Sequence, residues 1–291
     1  MKKHISMLIF AVLLLMSTIS PVIYANPSED IYVAIILSKG VIDEDFTKAI
    51  QIFENNSISI GITVNRIETH YNFGNNVEFL AGSFGNAILP LLYDMGLKDH
   101  VKKQIELSID EIEKCGKTPI GFYSPLLSYN DGVLEIVENL GLKYAIVPET
   151  KEMPSGHTYL VSGYNLTLIP VSNAIGNLLY EAGIDQLESA LTQQILFEIT
   201  KGEVLVINID LDKLFNKYQQ NTLEALNEVI KALLNASKLE HVHIVLPSEV
   251  LEKVTPKEVV LGTFKAYDLA EVNITEIISE KDIPRRSTLF P

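Results

Sequence analysis

The sequence predicts an α/β fold: an incomplete (β/α)7-type parallel barrel, forming a single domain after a leader segment. Three observations predict it. Apolar runs that read as fully buried strands alternate with helical periodicities along the chain. Residues 99–148 read as helix, strand, loop, helix and strand, a βαβ unit that requires a parallel sheet. Hydrophobic residues make up 47% of the 291 residues, enough for one large core, and barrels of this size commonly form single domains.

The chain divides into three parts. Lys2 and Lys3 precede an apolar run from Ile5 to Ile19, then Pro21 and the small residue Ala25. That is the layout of a secretory signal peptide over residues 1–25, which implies a secreted protein, extracellular or at the cell surface. The alternative is an uncleaved membrane anchor, a reading weakened by Ser17, Thr18, Ser20 and Pro21. Residues 26–280 carry the barrel, and residues 281–291 read as a loosely held polar tail.

The elements follow in order. Tyr32 to Leu37 (YVAIIL) is a continuous apolar run, hence a buried first strand, with Ser38-Lys39-Gly40 as its exit loop. Phe46, Ile50 and Phe53 mark one face of a helix over Asp43 to Asn55. Ser59 to Val64 and Val77 to Ala81 read as the second and third strands. A helical turn runs from Ile88 to Met95. Ile105, Ile109 and Ile112 recur at helical spacing, and Gly116 with Pro119 ends that helix. Ile120 to Tyr123 is a short strand; Asn130-Asp131 is set to cap a helix from Gly132 to Asn139, and Lys143 to Val147 is a buried strand. Tyr159 to Val161 and Leu166 to Pro170 form a strand pair around Gly163. Helices over Ala174 to Ala182 and Leu187 to Thr200 lead to a strand from Glu203 to Ile209, ending at Asp210. A helix over Thr222 to Leu234, a strand over His241 to Leu246 and a short helix through Val254 complete the pattern.

The formal net charge is -14, and loss of Lys2 and Lys3 with the leader makes it more negative still. An acidic surface of this kind repels nucleic acid and anionic lipid, so neither is an expected partner. Membrane contact is expected only through an uncleaved leader. Cys115 is the single cysteine, which excludes an internal disulfide and a thiolate metal cluster. His241 and His243 share one face of a strand, but no third ligand stands at diagnostic spacing. No metal and no cofactor is expected.

Three segments resemble the catalytic barrel of glycoside hydrolase family 57. VEFLAGSFGNAILPLL (residues 77–92) is similar to the family's strand and its "His-(Pro/Ala)-Ile-Leu-Pro-Leu" stretch. QIELSIDEIEKCGKTPIGFYSPL (residues 104–126) resembles the segment that ends in the family's "Trp-x-Pro-Glu". LVINIDLD (residues 205–212) resembles the strand ending in its catalytic Asp, and LPSEVLE (residues 246–252) a later segment. The resemblance implies a seven-stranded incomplete barrel, an α-glucan ligand and a retaining mechanism.

Several family positions differ. Leu126 stands where the family has its nucleophilic Glu, after Pro125. Asn86 replaces a His, Tyr123 replaces a Trp, and Ser38-Lys39-Gly40 replaces a His-Gln-Pro loop. Asp210 keeps the acid/base position, with Asp212 two residues on. Retaining hydrolysis needs two carboxyl groups about 5–5.5 Å apart, and leucine cannot attack a sugar. The resemblance therefore implies a non-hydrolytic, glycan-binding protein of carbohydrate metabolism, with an α-glucan-like ligand as partner. Asp210 is the catalytic candidate; Tyr123, Asn86, Tyr129 and Asp212 are the substrate-binding candidates. Asp210 could equally cap the helix that follows, although Asp212 looks the better cap. Glu149 is a loop acid or a relocated nucleophile, and His70 and Asn72 could line the cleft. One alternative is an active α-glucan hydrolase or glucanotransferase with Asp210 as acid/base. A third reading, a polysaccharide deacetylase-like barrel, lacks a His-x-x-x-His pair.

Overall fold

The computed structural model describes residues 30–68 and 72–259. The leader, the polar tail and His70 lie outside the described residues. Ten strands form one sheet. They are β1 (Ile31–Ser38), β2 (Ile60–Val64), β3 (Val77–Ala81), β4 (Gly121–Tyr123), β5 (Tyr144–Pro148), β6 (Tyr159–Val161), β7 (Thr167–Val171), β8 (Val204–Asp210), β9 (Val242–Val245) and β10 (Lys257–Val259). The helices are α1 (Glu44–Asn55), α2 (Leu89–Asp94), α3 (Lys98–Lys114), α4 (Asp131–Asn139), α5 (Asn173–Glu181), α6 (Ile184–Glu198), α7 (Leu211–Tyr218), α8 (Thr222–Ala236) and α9 (Glu249–Lys253).

Seven strands make the wall, in the order β7-β5-β4-β3-β2-β1-β8, all parallel. β8 takes one whole edge of β1, from Tyr32 opposite Val204 to Ser38 opposite Asp210. β9 and β2 share the other edge, β9 alongside Ile31 to Ala34 and β2 alongside Ile36 and Leu37. The two ends of the wall meet between β7 and β8 without a regular ladder. There the backbone N–H of Ser172 donates to the Val206 carbonyl at 2.9 Å. β6 pairs antiparallel with β7 and parallel with β10, filling the lower part of that seam. Outside the seven-stranded wall, β6 and β9, which both read as strands in the sequence, and β10, which does not, are edge pieces and a seam filler.

Alternation on each strand divides the core. Val33, Ile35 and Leu37 of β1 face outward and pack against α1 and α8, while Ala34 and Ile36 face the barrel interior with Leu80, Tyr123, Tyr144, Ile146, Ile169 and Val206. Both faces are buried, which is why these strands read as unbroken apolar runs. Each such Ile or Leu contributes about 1.5–3 kcal/mol when removed from water.

Two inward positions must be glycine. A Cβ on Gly121 would stand 2.1 Å from the Tyr144 ring, and one on Gly61 would stand 2.7 Å from Leu80 and 2.8 Å from Pro247. Those contacts show how the floor is built. The Tyr144 hydroxyl donates to Glu78 Oε1 at 2.7 Å, and the Ser248 backbone N–H donates to Glu78 Oε2 at 2.9 Å. Val250 and Val254, on and just after α9, enter the interior core, so α9 closes the N-terminal end of the barrel. Burial raises the Glu78 pKa, partly offset by those hydrogen bonds.

Local signals set the ends of the elements. Asn130 caps α4 by accepting from the Val133 N–H at 3.0 Å, so the helix begins at Asp131, one residue earlier than expected. Gly116, at φ 71, takes the left-handed conformation that ends α3.

Candidate active site

The open end of the barrel lies at the C-terminal ends of the strands, the position at which barrels of this kind carry chemistry. Ser38, Tyr123, Asn208 and Asp210 are the last inward-facing residues of β1, β4 and β8. The Asn208 Nδ2 donates to the Tyr123 hydroxyl at 3.1 Å. Tyr123 also shares a hydrogen bond with the Ser38 side chain. Burial, with the nearby Asp210 charge, pushes the Tyr123 pKa up to about 12, so its proton stays on the oxygen.

Asp210 is the N-cap of α7, its Oδ1 accepting from the Lys213 N–H at 3.1 Å. The expectation that Asp212 would be the better cap is corrected. Asp210 is the residue with extended backbone at the strand–helix junction, while Asp212 already lies in the first turn. Capping leaves the Asp210 side chain 26% exposed, and Lys213 Nζ stands 3.8 Å from its Oδ2. The Asp210 backbone N–H donates to the Tyr180 hydroxyl at 2.8 Å. Burial first, then the Asp210 charge, raises the Tyr180 pKa strongly. Asp212 accepts a hydrogen bond from the backbone N–H of Gly40 in the loop after β1. Partial burial, then the Asp210 charge, raises its pKa.

The rim continues on β2 and β3. Asn65 Nδ2 donates to Asn86 Oδ1 at 3.2 Å, and Asn86 is exposed at φ 53, a left-handed conformation that asparagine tolerates. The Lys39 N–H reaches Thr63 Oγ1 at 3.4 Å, while Lys39 Nζ is bound to Asp43 at 2.6 Å. Asn86, Asp210 and Asp212 therefore come together around one opening with the Tyr123 hydroxyl beneath them.

Two aromatic expectations change. Tyr123 is 7% exposed and its ring belongs to the interior core, so only its hydroxyl serves the mouth. Tyr129 is 1% exposed and packs in the outer core under the helices. Its place in a strand-end loop suggested exposure, but the turn at Pro125–Leu127 rolls it inward. Tyr129 is therefore not a substrate-binding residue of this mouth.

Leu126 lies in that turn. It is 57% exposed at φ 57, and Leu127 follows at φ 53. A branched residue is disfavoured there, so both carry backbone strain. Glu149 is held in place. It accepts from the Ser155 N–H at 3.1 Å, the Ser155 hydroxyl at 2.9 Å and the Asn173 N–H at 3.3 Å. Burial opposes its ionisation, but those bonds and the Lys201 charge outweigh it, and its pKa is lowered. His243 sits at the opposite end of the barrel, 2.9 Å from Asp30 and stacked on Tyr32. Asn72 is exposed beyond β2.

Tyr180, Asn208 and Lys213 escaped the sequence reading. Asn208 could have been found, because alternation puts it on the same face of β8 as Asp210. Tyr180 carries no such signal, since its position depends on how α5 returns over β8.

The sequence model of Glycosyl hydrolase family 57 matches residues 67–262. No curated protein matches the chain in sequence. Among solved structures, the chain is similar in fold to 4-alpha-glucanotransferase from Thermococcus litoralis, with a TM-score of 0.58 and 16% identity over 81% of this chain. It spans only 42% of that protein's length. Alpha-amylase AmyC from Thermotoga maritima superposes with a TM-score of 0.59 at 10% identity, covering 82% of this chain and 78% of that one. A putative polysaccharide deacetylase from Mycobacterium smegmatis gives a TM-score of 0.56 at 11% identity, covering 81% and 96% of the two chains. At these identities the likenesses speak for the barrel alone. The family match extends over two thirds of the sequence, from just after β2 to residue 262, and on it the protein belongs to glycosyl hydrolase family 57.

Proposed function

We propose that this protein is a secreted carbohydrate-binding member of its family that does not hydrolyse its ligand, an α-glucan. The observation that carries the reading is Leu126, an apolar side chain at the family's nucleophile position, exposed at the end of β4. Asp210 alone can protonate a leaving oxygen but cannot also form the glycosyl ester that retention requires. Glu149 does not replace the missing acid, because Ser155 and Asn173 occupy both of its oxygens. The mouth keeps groups suited to sugar hydroxyls: the Asp210 and Asp212 carboxylates and the Asn86 amide. The leader over residues 1–25 supports secretion.

A second reading, an active α-glucan hydrolase or transferase, draws support from Asp212. Burial first, then the Asp210 charge, raises its pKa, and two carboxyls whose surroundings push their pKa values apart can serve as acid and base. Titration calorimetry with maltooligosaccharides, alongside overnight digestion and chromatography, separates the two. The expected result is binding without cleavage, with affinity reduced about tenfold in Asp210→Asn. Cleavage abolished by Asp210→Asn or by Asp212→Asn would sink the non-hydrolytic reading.

A further inference from the structure

Tyr180 is the residue at the mouth whose hydrogen-bonding capacity is only half used. Its hydroxyl oxygen accepts from the Asp210 N–H at 2.8 Å. A phenol has one proton to give as well, and no described residue receives it. The same Asp210 carries a carboxylate that is 26% exposed and reserves one oxygen for the helix cap. Lys213 lies beside both: its Nζ is 5.7 Å from the centre of the Tyr180 ring and 3.8 Å from Asp210 Oδ2. The phenol oxygen bonds the amide of the residue that bears the carboxylate, so the phenol proton and the Asp210 oxygen not used in the cap, shared only with the exposed Lys213, stand at one edge of the opening.

A group that completes such a pair must accept from the phenol and donate to the carboxylate at once. An alcohol hydroxyl does both; a carboxylate cannot donate, and an ammonium cannot accept. We infer that Tyr180 and Asp210 together hold a single sugar hydroxyl, making Tyr180 a binding residue of this mouth as well as the anchor of the Asp210 backbone. The inference rests on the glycan-binding reading above and adds to it the residue and the ligand group. It also assigns Asp210 a role that requires no hydrolysis.

The test is a cycle between protein and ligand, using calorimetry with maltotriose and its monodeoxy derivatives. Tyr180→Phe is expected to lose about tenfold in maltotriose affinity, the effect of one lost hydrogen bond. One deoxy derivative should bind the wild type about equally weakly, and Tyr180→Phe should weaken that derivative no further. Asp210→Asn should single out the same deoxy position, which keeps the test decisive if Tyr180→Phe folds poorly. Tyr159→Phe removes a hydroxyl that donates to the Pro154 carbonyl away from the mouth, and should leave affinity unchanged. If every deoxy position adds independently to both variants, the shared hydroxyl is overturned while glycan binding stands. If the wild type binds no glycan, the binding reading falls and this inference with it.

Discussion

Leu126 shows how a single side chain can carry both a functional and a conformational consequence. It holds φ 57 while 57% exposed, so it contributes strain without much burial in return. A left-handed branched residue costs roughly 1–2 kcal/mol, and asparagine escapes part of that. Leu126→Asn is therefore expected to raise stability by about 0.5–1 kcal/mol in urea denaturation; a loss of that size would mean that the leucine packs against the mouth. Tyr123→Phe tests the layer below. It strips the partner from Asn208 Nδ2 and should lower stability by about 1–3 kcal/mol through an unsatisfied buried amide. At this scale the site was partly legible. Asp210 stands at a strand end that the unbroken apolar run reveals, with Asp212 two residues on. Tyr129 was misread because a loop position says nothing about which way a turn such as Pro125–Leu127 rolls its neighbours.

Among the elements, the floor formed by β3, β5 and α9 is where charge and burial conflict. Glu78 is enclosed between Tyr144 and Ser248, and its pKa is raised above 4.5 by burial. A carboxyl with a raised folded pKa binds its proton more tightly in the native state. Its stabilising contribution is complete below the unfolded value and is lost as pH rises through the folded one. Glu78→Gln should remove that loss, so the variant should match or exceed the wild type at pH 7. Thermal melts between pH 4 and pH 8 would show a flatter profile for the variant. Glu149 has the opposite sign: its pKa is lowered, so its contribution is present above 4.5 and disappears as pH falls through its folded value. Glu149→Gln should accordingly protect less of the protein's stability at neutral pH and show a shallower acid limb. The strands themselves were the most readable elements. YVAIIL and its counterparts are buried on both faces and admit little else, whereas β10, three residues long and paired only with β6, has no periodicity to detect.

Taken whole, the molecule is a wall of seven strands with one weak seam. Across it run the Ser172–Val206 backbone bond and a buried polar knot in which Glu198, 2% exposed, accepts from Ser172 Oγ at 2.9 Å and pairs with Lys201 at 2.7 Å. Ser172 is also the N-cap of α5. Ser172→Ala removes a cap and a buried partner together and should cost about 2 kcal/mol, with amide exchange accelerating first in β7 and β8. An unchanged exchange pattern would show that the seam is held by packing alone.

The position of β1 in that wall has a consequence for how the protein is made. β1 is the first strand of the described chain to leave the ribosome, yet one of its edges belongs entirely to β8 and half of the other to β9. At about 5–20 residues per second, roughly 9–35 seconds separate the appearance of β1 from that of β8. Through that interval an apolar, β-prone segment has only β2 to cover it, and any chaperone or channel that handles the nascent chain meets it open.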